Sequence, residues 1–164
     1  MCYNANMINW IKLYIIALHL REAECKKFIL EKKPDIAFIS FVDYLGHLFS
    51  IRENLGKLDK SKKMYDDNIF GALKYLYNKR KHKNDQDALI KSHLFICGSN
   101  YPRTYPYCYG ESKVIFSDIR KVIESDKYIK DEQKERVLAI YNKHLHNKTV
   151  TNIIFQATNE TLEV

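Results

Sequence analysis

Pro34 constrains this chain more than any other residue, because it separates two long apolar stretches that both carry a helical pattern. Proline pushes the residue before it out of the helical region, so the first stretch must stop before Pro34. That stretch runs Met7-Ile8-Asn9-Trp10-Ile11-Lys12-Leu13-Tyr14-Ile15-Ile16-Ala17-Leu18-His19-Leu20 and continues through Arg21 to Leu30. Its first half is apolar nearly all round, the pattern of a helix with more than one packing partner. A central helix, or one touching a second subunit, looks like this. Asn9, Lys12 and His19 interrupt the apolar part too often for it to span a bilayer. It also lacks the basic start and small-residue cleavage site of a signal peptide, so the expectation is a cytoplasmic chain with no membrane contact.

The second stretch begins with Asp35 placed to cap a helix. Ile36, Phe38, Ile39, Val42, Leu45, Leu48, Phe49 and Leu55 form its predicted buried stripe, and Gly46 within it predicts close approach of another backbone. His19 and His47 both fall in apolar surroundings and read as hydrogen-bonded structural histidines. Residues 56–63 form a polar connection to the next helix.

That helix, starting around Met64 or Asp66 and ending near Lys83, holds the densest chemistry in the chain. With Leu73 as reference and roughly 100° per residue, Ile69, Phe70, Leu76 and Tyr77 fall within about 60° of it. Tyr75, Asn78 and His82 are expected on the far, polar side. Asn78 and His82 are four residues apart, one turn of one surface. Lys79, Arg80, Lys81 and Lys83 surround them with positive charge, where a polyanion can lodge. An imidazole that titrates near neutral pH, an amide beside it and cations for phosphate suit RNA cleavage. The bland reading is a solvated basic helix end, since cations near a helix C-terminus are favoured by its dipole in any protein. The whole chain leans the same way, with 27 Lys and Arg against 20 Asp and Glu and a formal charge of +7. Such an excess serves solubility or a phosphate-rich partner.

Beyond Asn84-Asp85-Gln86-Asp87, which closes the motif helix, the pattern changes. Residues 89–116 carry two short β-forming runs, Leu94–Cys97 and Val114–Phe116, around a segment with two prolines and two glycines. A small β-hairpin or irregular insertion is predicted there. Tyr101, Tyr105, Tyr107 and Tyr109 in that segment either stack on unpaired bases, with Arg103 on a phosphate, or serve packing and subunit contact. Weak helical signal follows over Ser117–Glu124, then firm signal from Lys130 to about His146 with Val137, Leu138, Ile140, Tyr141 and Leu145 inward. Thr149 can cap a last helix to Leu162 that buries Val150, Ile153, Ile154 and Ala157. His144 and His146 read as surface histidines rather than metal ligands, because residues two apart on a helix point in different directions. Cys2, Cys25, Cys97 and Cys108 form no close pair, so neither a zinc site nor any other metal or cofactor is expected. Reduced, mostly buried thiols are the expectation.

The run Ala72-Leu73-Lys74-Tyr75-Leu76-Tyr77-Asn78-Lys79-Arg80-Lys81-His82 resembles the motif helix of HEPN-domain proteins. That family places an arginine, a polar residue that is often asparagine, three variable positions and a histidine in order. Asn78 and His82 match the polar residue and the histidine, and Tyr77 occupies the arginine position. The order of elements is similar too: two long helices, the motif at the end of a third, and further helices that close the bundle. The resemblance implies one mainly α domain over residues 1–164, an antiparallel helical bundle acting as a homodimer through the motif helices. It implies metal-independent RNA cleavage, of the kind found among toxins and phage-defence proteins, in which a ribose 2′-hydroxyl attacks the adjacent phosphorus. His82 would be general acid or base, Asn78 would orient the phosphate or the imidazole, and Arg80 would stabilise transition-state charge. Lys79, Lys81, Lys83, Tyr75 and Arg103 would contact RNA, and a cognate antitoxin protein is a further conceivable partner. Two alternatives stay open: a non-catalytic HEPN-like module that binds RNA, nucleotide or protein, and a basic helical DNA-binding protein.

Overall fold

A computed structural model describes residues 2–31, 33–58, 68–82, 96–97, 114–116 and 118–163. Six helices dominate it: α1 (Cys2–Leu30), α2 (Pro34–Leu58), α3 (Ile69–His82), α4 (Arg120–Glu124), α5 (Asp131–His144) and α6 (Val150–Leu162). The fold is mainly α, as the sequence pattern implies. Within the predicted insertion, β1 (Ile96–Cys97) pairs antiparallel with β2 (Val114–Ile115), Ile96 opposite Ile115.

The Pro34 break works as expected. α1 ends at Leu30, and the chain turns through hydrogen bonds from Glu31 N to Lys27 O and from Lys33 N to Phe28 O. α2 opens on Pro34 itself, a position where the missing N–H costs nothing. The first helical acceptor is Lys33 O, bonded by Ala37 N at 3.0 Å, so Asp35 lies inside the first turn and is not the cap. The two helices run antiparallel: Cys25 Sγ donates to Ala37 O, Arg21 lies beside Asp43, and the Tyr14 ring lies 5.9 Å from that of His47.

α2 is the centre of the core. Phe38, Phe41, Tyr44, Leu45, Leu48, Phe49 and Ile51 are buried, whereas Ile36 and Ile39 of the predicted stripe are exposed. Phe41 meets Phe116 edge-on at 5.7 Å, and Phe116 meets Tyr141 of α5 at 6.5 Å. Each such aromatic pair adds about 0.5–1.5 kcal/mol beyond area burial. Tyr44 Oη lies 3.0 Å from both Ile154 O and Thr158 Oγ1 of α6, and Thr158 hands a hydrogen bond on to Glu22 Oε2 at 3.4 Å. Burying the Glu22 carboxylate is offset by Lys26 Nζ, 2.6 Å from Oε1. This chain of polar contacts ties α1, α2 and α6 together. Desolvation pushes the neighbouring Cys25 thiol up to about 12, so this cysteine is an inert core residue at neutral pH.

α6 forms as predicted: Thr149 Oγ1 accepts from Asn152 N at 3.3 Å, and Val150, Ile153, Ile154 and Ala157 are buried. The approach to it is stitched to β2 by Phe116 N→Lys148 O and Asn147 N→Phe116 O, both 3.0 Å. Asn147 adopts φ 61°, a left-handed conformation that asparagine tolerates. In α5, Tyr141 and the flanking Leu145 are fully buried, while Val137, Leu138 and Ile140 are half-buried.

Candidate nucleic-acid interface

α3 begins at Ile69, later than Met64 or Asp66, because Asn68 caps it: Asn68 Oδ1 accepts from Phe70 N at 3.0 Å. Ile69, Phe70, Ala72, Leu73 and Leu76 are buried. Arg52 of α2 lies over the Phe70 ring, 3.7 Å from its centroid, with burial holding its guanidinium below the usual arginine range. That arginine is a packing cation, and its NH1 reaches the Glu160 carbonyl at 3.5 Å.

Tyr75 corrects the sequence reading. It is only 8% exposed, and its hydroxyl donates to Asp126 Oδ2 at 3.5 Å. Asp126, just after α4, is fully buried and also accepts from Tyr128 N at 2.9 Å. Burial, then the adjacent Asp126 carboxylate, raises the Tyr75 phenol above its ordinary value. The ring has no open face for a nucleobase. The angle from Leu73 puts Tyr75 on the side away from α2, but the buried Asp126 carboxylate satisfies its hydroxyl there and lets the ring pack.

Tyr77 is half-buried with its ring 5.3 Å from that of Phe49. It covers Gly46: a Cβ built there would lie 3.8 Å from Tyr77 Cε2. Among the described residues, the close approach predicted at Gly46 is by an aromatic ring and not by backbone. α3 is thus held between α2 on one side and the α4–α5 region on the other.

A third side of α3 forms a narrow strip. Gly71 and Lys74 are half-buried and Asn78 is exposed, at i, i+3 and i+7. α3 is unbroken to His82, which the backbone places about 6 Å along the axis from Asn78, on a line between the exposed Asn78 and the buried Tyr75. Lys74 is the residue sequence reading missed. It lies one turn before Asn78 on this strip, and its i, i−4 spacing was the available signal. The side chains of Lys79, Arg80, Lys81 and His82 lie outside the described part, as do Lys83, Arg103 and the tyrosines at 101, 105, 107 and 109.

The other histidines are located as follows. His19 is exposed, with Nδ1 3.6 Å from Glu22 Oε2, so it is not the hydrogen-bonded core histidine expected. His47 is half-buried against Tyr14, and burial, then the Arg21 charge, lowers its pKa. His144 and His146 are half-buried. Among the described residues no group of three or more His, Cys, Asp or Glu could hold a metal ion. No described helix is long and apolar enough to cross a membrane. Comparison with protein-family models, curated proteins and solved structures returns no match.

Proposed function

We propose that this chain is a HEPN-like endoribonuclease whose site is the open end of α3. The observation that carries the reading is the strip itself. Asn78 is exposed on an unbroken helix whose root is locked into the core, and His82 follows one turn later. A site on such a rigid element holds its groups in register. Lys74, Lys79, Arg80, Lys81 and Lys83 supply cations around it, and the +7 charge of the chain attracts a polyanion.

In this mechanism Asn78 orients the scissile phosphate. His82 takes the proton from the ribose 2′-hydroxyl as that oxygen attacks phosphorus. The 5′ oxygen leaves with a proton taken from solvent water. The products are a 2′,3′-cyclic phosphate and a 5′-hydroxyl, and no metal is required. Cations on the strip stabilise the added negative charge of the transition state. A toxin or phage-defence setting, in the cytoplasm and with a cognate inhibitor protein, fits such an activity.

One observation favours a second reading. Tyr77 is committed to packing on Phe49, so the family's arginine has no counterpart at that position. A non-catalytic RNA-binding module would keep the basic strip and dispense with cleavage. Incubating the full chain with single-stranded RNA and with duplex DNA, in excess chelator and over a salt series, separates the readings. RNA fragments are the nuclease result. Salt-dependent RNA retention with intact RNA is the module result, and preference for the duplex would favour a DNA-binding protein.

A further inference from the structure

α1 presents two apolar faces in opposite directions. Ile11, Leu18, Cys25 and Ile29 are buried in the bundle. On the other side Trp10, Leu13, Ile16 and Leu20 are 58%, 56%, 59% and 61% exposed. Steps of three, three and four residues, with half-buried Ala17 among them, make these one continuous stripe over three turns. We infer that this stripe is the contact surface for a second copy of the chain, with α1 packed antiparallel on α1 about a two-fold axis.

Size is the first argument. The stripe exposes roughly 500 Å² of mostly apolar surface, the upper range for a monomer's largest patch. Two copies would bury at most about 1,000 Å², the lower bound for a specific interface. Self-complementarity is the second. With the axis opposite Tyr14–Ile16, Trp10 of one copy meets Leu20 of the other, and Leu13 meets the small Ala17, large against small in both directions. The same register carries the polar ends onto unlike partners, Asn6 opposite Glu24 and Asn9 opposite Arg21, so no like charges face each other.

The position of the axis also bears on the α3 strip. Tyr14 rests on His47 of α2, and Tyr77 rests on Gly46 and Phe49, residues of the same turn. Pairing through α1 therefore leaves α2 between the contact and α3 in each copy. Among the described residues, the apolar side chains of α3 are buried within the chain. The inference does not depend on RNA cleavage and survives its failure.

Trp10 is the only tryptophan in the chain and lies on the stripe, so it reports the contact directly. The test is sedimentation equilibrium of the full chain across a dilution series, with tryptophan emission recorded in parallel. The wild type should be a dimer whose emission shifts red as it dissociates. Leu13→Glu should weaken association by about a hundredfold or more, because the pairing would bury an unpaired charge, while helical circular dichroism stays unchanged. Should that variant misfold, the milder Ile16→Ser should still weaken the dimer. Leu13→Cys/Ala17→Cys should cross-link between chains on mild oxidation where the wild type does not. A wild type that is monomeric at all concentrations overturns the inference, whether Trp10 is shielded by the chain's own residues or free to bind anionic vesicles. A dimer whose mass and emission ignore Leu13→Glu overturns it equally.

Discussion

α1 and α3 both carry more apolar surface than one neighbour can cover, yet they dispose of it differently. α3 is gripped from two sides, so even Tyr75, on its nominally polar face, is buried. α1 covers one face and leaves Trp10, Leu13, Ile16 and Leu20 out. The difference teaches that a helical wheel counts apolar positions and is blind to how many partners the bundle supplies. A helix gripped from opposite sides hides its tyrosines, and one packed along a single side shows its leucines.

The largest expected effect that sharpens this contrast comes from Leu73, which is fully buried in α3. Leu73→Ala should cost about 2–5 kcal/mol in denaturant unfolding, whereas Leu20→Ala on the outer stripe should change a dilute, monomeric sample by under about 0.5 kcal/mol. Equal losses would break the comparison. Tyr75→Phe comes next, at about 1–3 kcal/mol, because the buried Asp126 loses a donor. No loss at all would return Tyr75 to the open face.

Gly46→Ala should go the other way and stabilise by up to about 1 kcal/mol. The new methyl would meet the Tyr77 ring at ordinary contact distance, so a loss would mean that something closer lies over Gly46. The smallest effect concerns His47, whose pKa is lowered by burial and then by Arg21, against an opposing pull from Asp43. Its folded pKa lies below the unfolded value of about 6.5, so its contribution is present above that pH and is lost as pH falls from there toward the folded value. His47→Gln should flatten that part of a stability-versus-pH curve, and an unchanged slope would place the proton uptake elsewhere.

Much of the fold was legible because it rests on local rules. Pro34 ends α1 and opens α2, and Thr149 caps α6 over the predicted core residues. The misreadings share one cause, which is tertiary context. Asn68 displaced the expected start of α3, the ring of Tyr77 took the space read as backbone approach at Gly46, and Asp126 drew Tyr75 inward. No pattern in the sequence announces a partner 51 residues away. The candidate site was legible as a spacing, Asn78 to His82, and the structure adds the exposure of Asn78 and the alignment of Lys74 with it.

Cleavage of a single-stranded RNA in excess chelator by wild type and by His82→Ala, with added imidazole as a third arm, tests whether the open end of α3 cuts RNA through the His82 imidazole as proposed. The wild type should give fragments ending in a 2′,3′-cyclic phosphate. The variant should give none at unchanged helical content, and imidazole should restore part of the cleavage. RNA left intact by the wild type, or cut at an undiminished rate by His82→Ala, would contradict the proposal.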